Sequence, residues 1–241
     1  MNMQARRYAW VFSFIFSLLL LSGCKDRLFD NPLDPNAERT AYEVLATVQL
    51  NGIVPVDLAF SGDSLWVVDS QSRLLSLNYN SGAVIRELES ESPPSGVCYD
   101  GDDLWITVRN SSQIVKLNIV TGTTIRVLTL TRGDFGPIDF SGSRLYITDR
   151  LTNSVLVVDP ETGRIEKALS NPGFSLNGVA YDGVNLWTID ATQMKIFRLT
   201  ASGSVLMSYQ TPGRAGAGMS VGSGIMWTGD QTGKIFKLRF Q

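Results

Sequence analysis

Four aspartates recur at one place in this chain: Asp69, Asp149, Asp190 and Asp230 each stand three residues after an aromatic residue. A ring of carboxylates invites a metal-binding or acid–base reading. The simpler chemistry is turn capping, in which a short carboxylate side chain accepts hydrogen bonds from nearby backbone N–H groups. Recurrence in nearly every repeat favours the capping role. Val108 breaks the series, with Arg109 and Asn110 directly after it.

Three further side chains stand at equivalent places in the repeats. Cys98, Asp139 and Ser220 align with Ala59 and Ala180. The alignment puts them near a central axis, where a carboxylate needs water or a partner, so they are the candidate channel residues. Loops with the sequences GDFGP, SNPGFSLNG and TPGRAGAG bring Arg132, Asp134, Phe135, Phe174, Asn177 and Arg214 towards Arg109 and Arg150. Mixed charge with two loop aromatics suits a binding face for a protein, peptide or glycan.

Histidine is absent. A Ser-His-Asp triad, a His general base and a His-ligated metal are therefore excluded. No phosphate loop, dinucleotide fingerprint or metal-ligand spacing occurs, so no cofactor or metal is expected. The formal charge is −2; losing residues 1–23 would remove Arg6 and Arg7 and no acid, giving −4. With no basic run after Arg7, a nucleic-acid partner is not expected.

The elements that carry these residues follow from self-comparison. PVDLAFSGDSLWVVDS, SGVCYDGDDLWITVRN, GPIDFSGSRLYITDRL, NGVAYDGVNLWTIDAT and AGMSVGSGIMWTGDQT align without strain. Their shared aromatic is Trp66, Trp105, Tyr146, Trp187 and Trp227, at spacings of 39, 41, 41 and 40 residues. Gly82, Gly122, Gly163 and Gly203 keep the same register. Each unit reads as four short strands, such as GVAYD, NLWTID, KIFRLT and VLMSYQ, separated by turn residues. The expected fold is all-β: a five-bladed β-propeller of four-stranded blades over residues 42–241. A parallel β-helix has much shorter repeats.

The last unit lacks a fourth strand, whereas YEVLATVQL, at residues 42–50, precedes the first unit without a blade of its own. Placed as the outer strand of the last blade, it closes the ring. Val44, Leu45, Val48 and Leu50 are then expected to bury apolar surface. The five aromatics are expected to pack between blades.

The LW-type second strand, the Asp that follows it and the Thr-Gly turn resemble the bacterial propellers that include YVTN, NHL and Vgb-like repeats. These are scaffold motifs, and the resemblance implies fold alone. Ahead of the repeats, Arg6 and Arg7 precede an apolar stretch from Tyr8 to Leu21, too short to span a bilayer comfortably. Leu21-Ser22-Gly23-Cys24 then closely resembles a bacterial lipobox. That resemblance implies cleavage of a signal peptide, residues 1–23, and acylation of Cys24. By analogy with enteric bacteria, Lys25 suits the outer membrane. Residues 24–41, with Pro32 and Pro35, read as a tether.

Three functions are compatible with these features. The leading one is a non-catalytic binding or scaffold module tethered in the cell envelope. The others are a propeller enzyme (lactonase, lyase or glutaminyl cyclase-like) using carboxylates, with or without a divalent metal, and a small-ligand sensor using the channel.

Overall fold

The computed structural model describes residues 42–214 and 216–240; Cys24, the signal-like segment and the tether lie outside the described residues. Twenty strands form five four-stranded antiparallel sheets, and no helix occurs among the described residues. Blade 1 contains β2 (Pro55–Phe60), β3 (Leu65–Asp69), β4 (Leu74–Leu77) and β5 (Val84–Leu88). Blade 2 contains β6 (Pro94–Tyr99), β7 (Leu104–Val108), β8 (Gln113–Leu117) and β9 (Thr124–Thr129). Blade 3 contains β10 (Phe135–Ser141), β11 (Arg144–Asp149), β12 (Ser154–Val158) and β13 (Ile165–Ser170). Blade 4 contains β14 (Leu176–Tyr181), β15 (Asn185–Asp190), β16 (Lys195–Thr200) and β17 (Val205–Gln210).

Blade 5 takes its inner strands β18 (Ala217–Gly222), β19 (Ile225–Gly229) and β20 (Lys234–Phe240) from the end of the chain. Its outer strand is β1 (Tyr42–Gln49), which pairs antiparallel with β20 from Tyr42↔Phe240 to Gln49↔Lys234. The protein is thus a five-bladed β-propeller closed by its own N-terminal strand. Closure buries less than the sequence pattern implied. Val48 and Leu50 are buried, but Val44 is 46% exposed, because a β-bulge between Val44 and Ala46 shifts the alternation of the outer strand and turns Val44 to solvent.

Second strands such as β3 and β7 are buried along their whole length, since each is covered by a blade on either side. Five apolar clusters fill the spaces between adjacent blades. One joins Trp66 to Val97, Leu104 and Ile106, and another joins Cys98 and Trp105 to Phe135, Ile138 and Leu145. The recurring tryptophans therefore pack between blades. Four of the five blades stack a Lys or Arg over this ring: Arg86 on Trp66, Lys116 on Trp105, Arg198 on Trp187 and Lys237 on Trp227. The cation covers the open side of the indole and adds its own attraction to the ring face.

Turns between third and fourth strands repeat one construction. Asn118 accepts from Val120 N and Thr121 N, and Gly122 N donates to Asn118 O at 2.9 Å. Gly122 has φ 75°, and a Cβ there would lie 2.2 Å from Glu89 O. Only glycine fits that close approach to blade 1.

Candidate functional site

Antiparallel order places the b–c turns and the d–a loops of all blades on one face (strands lettered a to d from the axis outwards). Three of the four recurring aspartates, Asp149, Asp190 and Asp230, stitch these two sets together, and Asp69 caps its own turn. Asp149 Oδ1 accepts from Leu151 N at 3.1 Å in its own turn and from Asp134 N at 3.2 Å in the preceding loop. Asp190 binds Gln193 N in the turn and Phe174 N and Ser175 N in the loop. Asp230 accepts from Thr232 N, Lys234 N and Arg214 N. Asp69 binds Gln71 N and Arg73 N, and its other oxygen pairs with the Arg73 side chain at 2.6 Å. Every one of the four is buried, with its oxygens turned to local donors.

Blade 2 has Val108 in that place. Arg109 N donates to Pro93 O at 2.8 Å, and the Arg109 guanidinium reaches across to Ser70 O of blade 1 at 3.2 Å. Arg150 donates to Phe135 O at 3.1 Å and lies 3.7 Å from Asp134. With Pro55, Ser70, Asn177 and Gln231 it lines a cavity of about 350 Å³ at the mouth of the channel. Arg132 and Arg214 are exposed, and Phe174 is 76% exposed. Phe135 departs from the sequence reading. It opens β10 and is wholly buried in the cluster between blades 2 and 3, so it contributes no surface to this face.

Cys98, Asp139 and Ser220 each make their contacts with a neighbouring blade. Each turns sideways to the next blade. The Cys98 thiol sits in the apolar cluster of blades 2 and 3, and burial, with Asp139 nearby, pushes its pKa well up. It is a packed small residue without thiolate character. Asp139 Oδ2 accepts from Tyr181 N of blade 4 at 2.7 Å, and Ser220 Oγ accepts from Phe60 N of blade 1 at 3.1 Å. Both satisfy N–H groups on the free inner edges of neighbouring blades. Asp139 lies deep in the ring yet keeps part of its surface open to the channel; burial raises its pKa to about 7 against the pull of backbone hydrogen bonds from Tyr181 and Phe140.

A further deeply placed carboxylate is Asp57, which pattern reading passed over. It is fully buried, and its Oδ2 accepts from Val97 N of blade 2 and Ile138 N of blade 3, both at 2.9 Å. One side chain thereby ties three blades across the axis. Its Oδ1 has no partner, and burial raises the carboxyl well above the usual range. The equivalent positions are Gly96, Pro137, Gly178 and Gly218. A Cβ on Gly218 would lie 2.4 Å from Asp57 Cα, so the glycine makes the space the aspartate uses. The signal in the sequence was this asymmetry: one acid among small residues.

No family model and no curated protein matches the sequence. Solved structures do match in fold. A glutaminyl cyclase from Myxococcus xanthus superposes with a TM-score of 0.71 at 12% identity, over 83% of this chain and 96% of that one. A virginiamycin B lyase from Staphylococcus aureus matches with a TM-score of 0.52 at 18% identity, over 78% and 66% of the two chains. A streptogramin B lyase matches at 0.50 and 16% identity, over 83% and 98%. At these identities the likeness is one of fold, in keeping with the Vgb-like character of the repeats.

Proposed function

We propose that the protein is a non-catalytic interaction module of the bacterial cell envelope, lipid-anchored through Cys24 at the outer membrane, and that it presents its b–c/d–a face to a protein, peptide or glycan partner. The observation that carries this reading is the composition of that face. Phe174 stands 76% exposed where the other phenylalanines among the described residues are buried or half-buried, on the face that also holds Arg109, Arg132, Arg150 and Arg214. An exposed aromatic among arginines, beside a polar rim containing Asp134 and Asn177, has the make-up of a binding hot spot. The recurring aspartates hold the loops in place, so the face is rigid before a partner arrives and loses little entropy on binding.

In-cell crosslinking from a photoreactive residue at position 174 tests the proposal. It should capture a discrete envelope partner, and substituting Arg109 and Arg150 together with Gln should reduce capture at least tenfold in a protein that still melts normally. Undiminished capture by the folded double variant would remove this face from consideration. Cys24→Ser should move the protein from the membrane fraction to the soluble fraction, and continued membrane association would remove the anchor.

An enzyme reading would rest on Asp139, whose pKa of about 7 suits general acid–base chemistry. Its Oδ2 already holds Tyr181 N, the same use that Ser220 makes of Phe60 N, which favours a structural role. Turnover of N-terminal glutaminyl peptides or lactones, lost in Asp139→Asn, would replace the interaction reading.

A further inference from the structure

Blades 2 and 4 carry the same four-residue arrangement at the opposite face, where the a–b turns lie. In blade 2 it is Asp100, Asp103, Trp105 and Lys116; in blade 4 it is Asp182, Asn185, Trp187 and Arg198. The first aspartate closes the turn with one oxygen and takes the indole N–H with the other, at 2.8 Å for Asp100 and 2.7 Å for Asp182. The cation sits opposite the tryptophan in register and over its ring, 5.8 Å away for Lys116 and 5.5 Å for Arg198.

The two copies differ in how the cation is compensated. Lys116 lies 2.8 Å from Asp100 and 3.8 Å from Asp103. In blade 4 the second acid is replaced by Asn185, and no carboxylate of the described residues forms an ion pair with Arg198. With the Asn185 amide oriented to satisfy both its ends, its oxygen accepts from Arg198 Nε at 3.2 Å and Nη2 at 2.9 Å. An amide oxygen fixes the guanidinium without neutralising it. Asp182 holds Val184 N, Asn185 N and Trp187 Nε1, as Asp100 holds their counterparts, but unlike Asp100 it forms no ion pair with the cation of its own blade.

Arg198 also faces open space. It lines a cavity of about 570 Å³ between blades 4 and 5, together with Trp187, Val221, Ile225 and Phe240. The volume lies within the roughly 300–1,000 Å³ of small-molecule sites, and such sites combine apolar walls with a few fixed polar groups. A guanidinium held by an amide and an indole is preorganised for a planar two-oxygen anion.

We propose that this cavity binds a small carboxylic acid with an aromatic or branched apolar body, its carboxylate on Arg198 and its body against Val221, Ile225 and Phe240. The nearby Asp182 charge favours a monoanion over a phosphate or dicarboxylate. The site is on the other end of the propeller from the proposed partner face and does not depend on it.

The test uses the full-length protein in detergent and 3-phenylpropionate as probe, read by the NMR shift of the Trp187 indole N–H, assigned with Trp187→Phe. The acid should shift that resonance saturably, and 3-phenylpropan-1-ol should bind at least tenfold more weakly. Asn185→Asp copies the blade 2 arrangement, so it should fold normally, give Arg198 an internal ion pair and weaken the acid at least tenfold; Arg198→Gln should do the same. Equal binding of acid and alcohol, unchanged binding in a folded Asn185→Asp variant, or no shift at tens of millimolar acid would each overturn the proposal.

Discussion

Replacing Asp57 separates the hydrogen-bonding work of a buried side chain from the cost of its charge. Asp57→Ala leaves the N–H groups of Val97 and Ile138 buried without acceptors, because both now bond Asp57 Oδ2 at 2.9 Å. Each unsatisfied group costs about 1–3 kcal/mol, so the two together cost roughly 2–6 kcal/mol. Relief from burying a carboxylate offsets part of that loss. Asp57→Asn keeps the shape and the accepting oxygen and removes the charge, while its amide nitrogen takes the place of the unpartnered Oδ1. Its net cost should be near zero in acid and turn to a gain at alkaline pH.

The sign follows from the raised carboxyl pKa of Asp57 in the fold, against an ordinary value of 3.8. The protonated form is favoured by folding. Its stabilising contribution is complete below the unfolded pKa and is lost as pH rises through the folded one. Urea unfolding followed by tryptophan fluorescence at pH 5 and pH 8 reads this directly, since Trp66, Trp105, Trp187 and Trp227 are all buried. Asn should exceed Ala by about 2–4 kcal/mol at both pH values, with the margin of Asn over the wild type growing from pH 5 to pH 8. Ala and Asn variants of equal stability would refute the cross-axis tie. A margin independent of pH would refute the buried charge.

Deleting residues 42–50 should abolish cooperative unfolding, since it strips blade 5 of its outer strand and removes Val48 and Leu50, buried side chains contributing about 1.5–3 kcal/mol each; an unchanged calorimetric melt would sink the closure scheme. Asp139→Asn retains an acceptor for Tyr181 N and should flatten the fall in stability between about pH 4 and pH 7, because the wild-type pKa rises from 3.8 to about 7 on folding. At roughly 1.4 kcal/mol per pKa unit the gain above pH 7 is capped near 4 kcal/mol, and the channel-side exposure of the carboxyl makes it smaller. Parallel stability–pH curves for the wild type and the variant would refute it.

Reading the sequence reached the architecture because its determinants are local. Period, strand length and turn chemistry are written within each 40-residue unit, and the missing fourth strand of the last unit has one available replacement, residues 42–50. The capping geometry around Asp69, Asp149, Asp190 and Asp230 is likewise a matter of a few neighbouring residues, although their reach into the d–a loops is not. The candidate face was partly legible. Phe174 and the arginines lie at loop positions, whereas Phe135 is drawn inward because β10 begins one step earlier than the loop pattern implied.

The chain alone therefore determined the number of blades, their strand order and the way the ring closes, since each repeat presents the same local pattern and the same apolar faces to be covered. Tertiary structure decided which side chains meet from one blade to the next. Asp57 crosses the axis to blades 2 and 3 only because Gly96 and Gly218 leave it room, and Cys98 turns into an apolar cluster. Arg198 meets an open cavity where Lys116 meets two acids. Equivalent residues share their backbone conformation, but which side chains face them is set by the neighbouring blade, and those contacts join residues 40 to 160 positions apart in the chain.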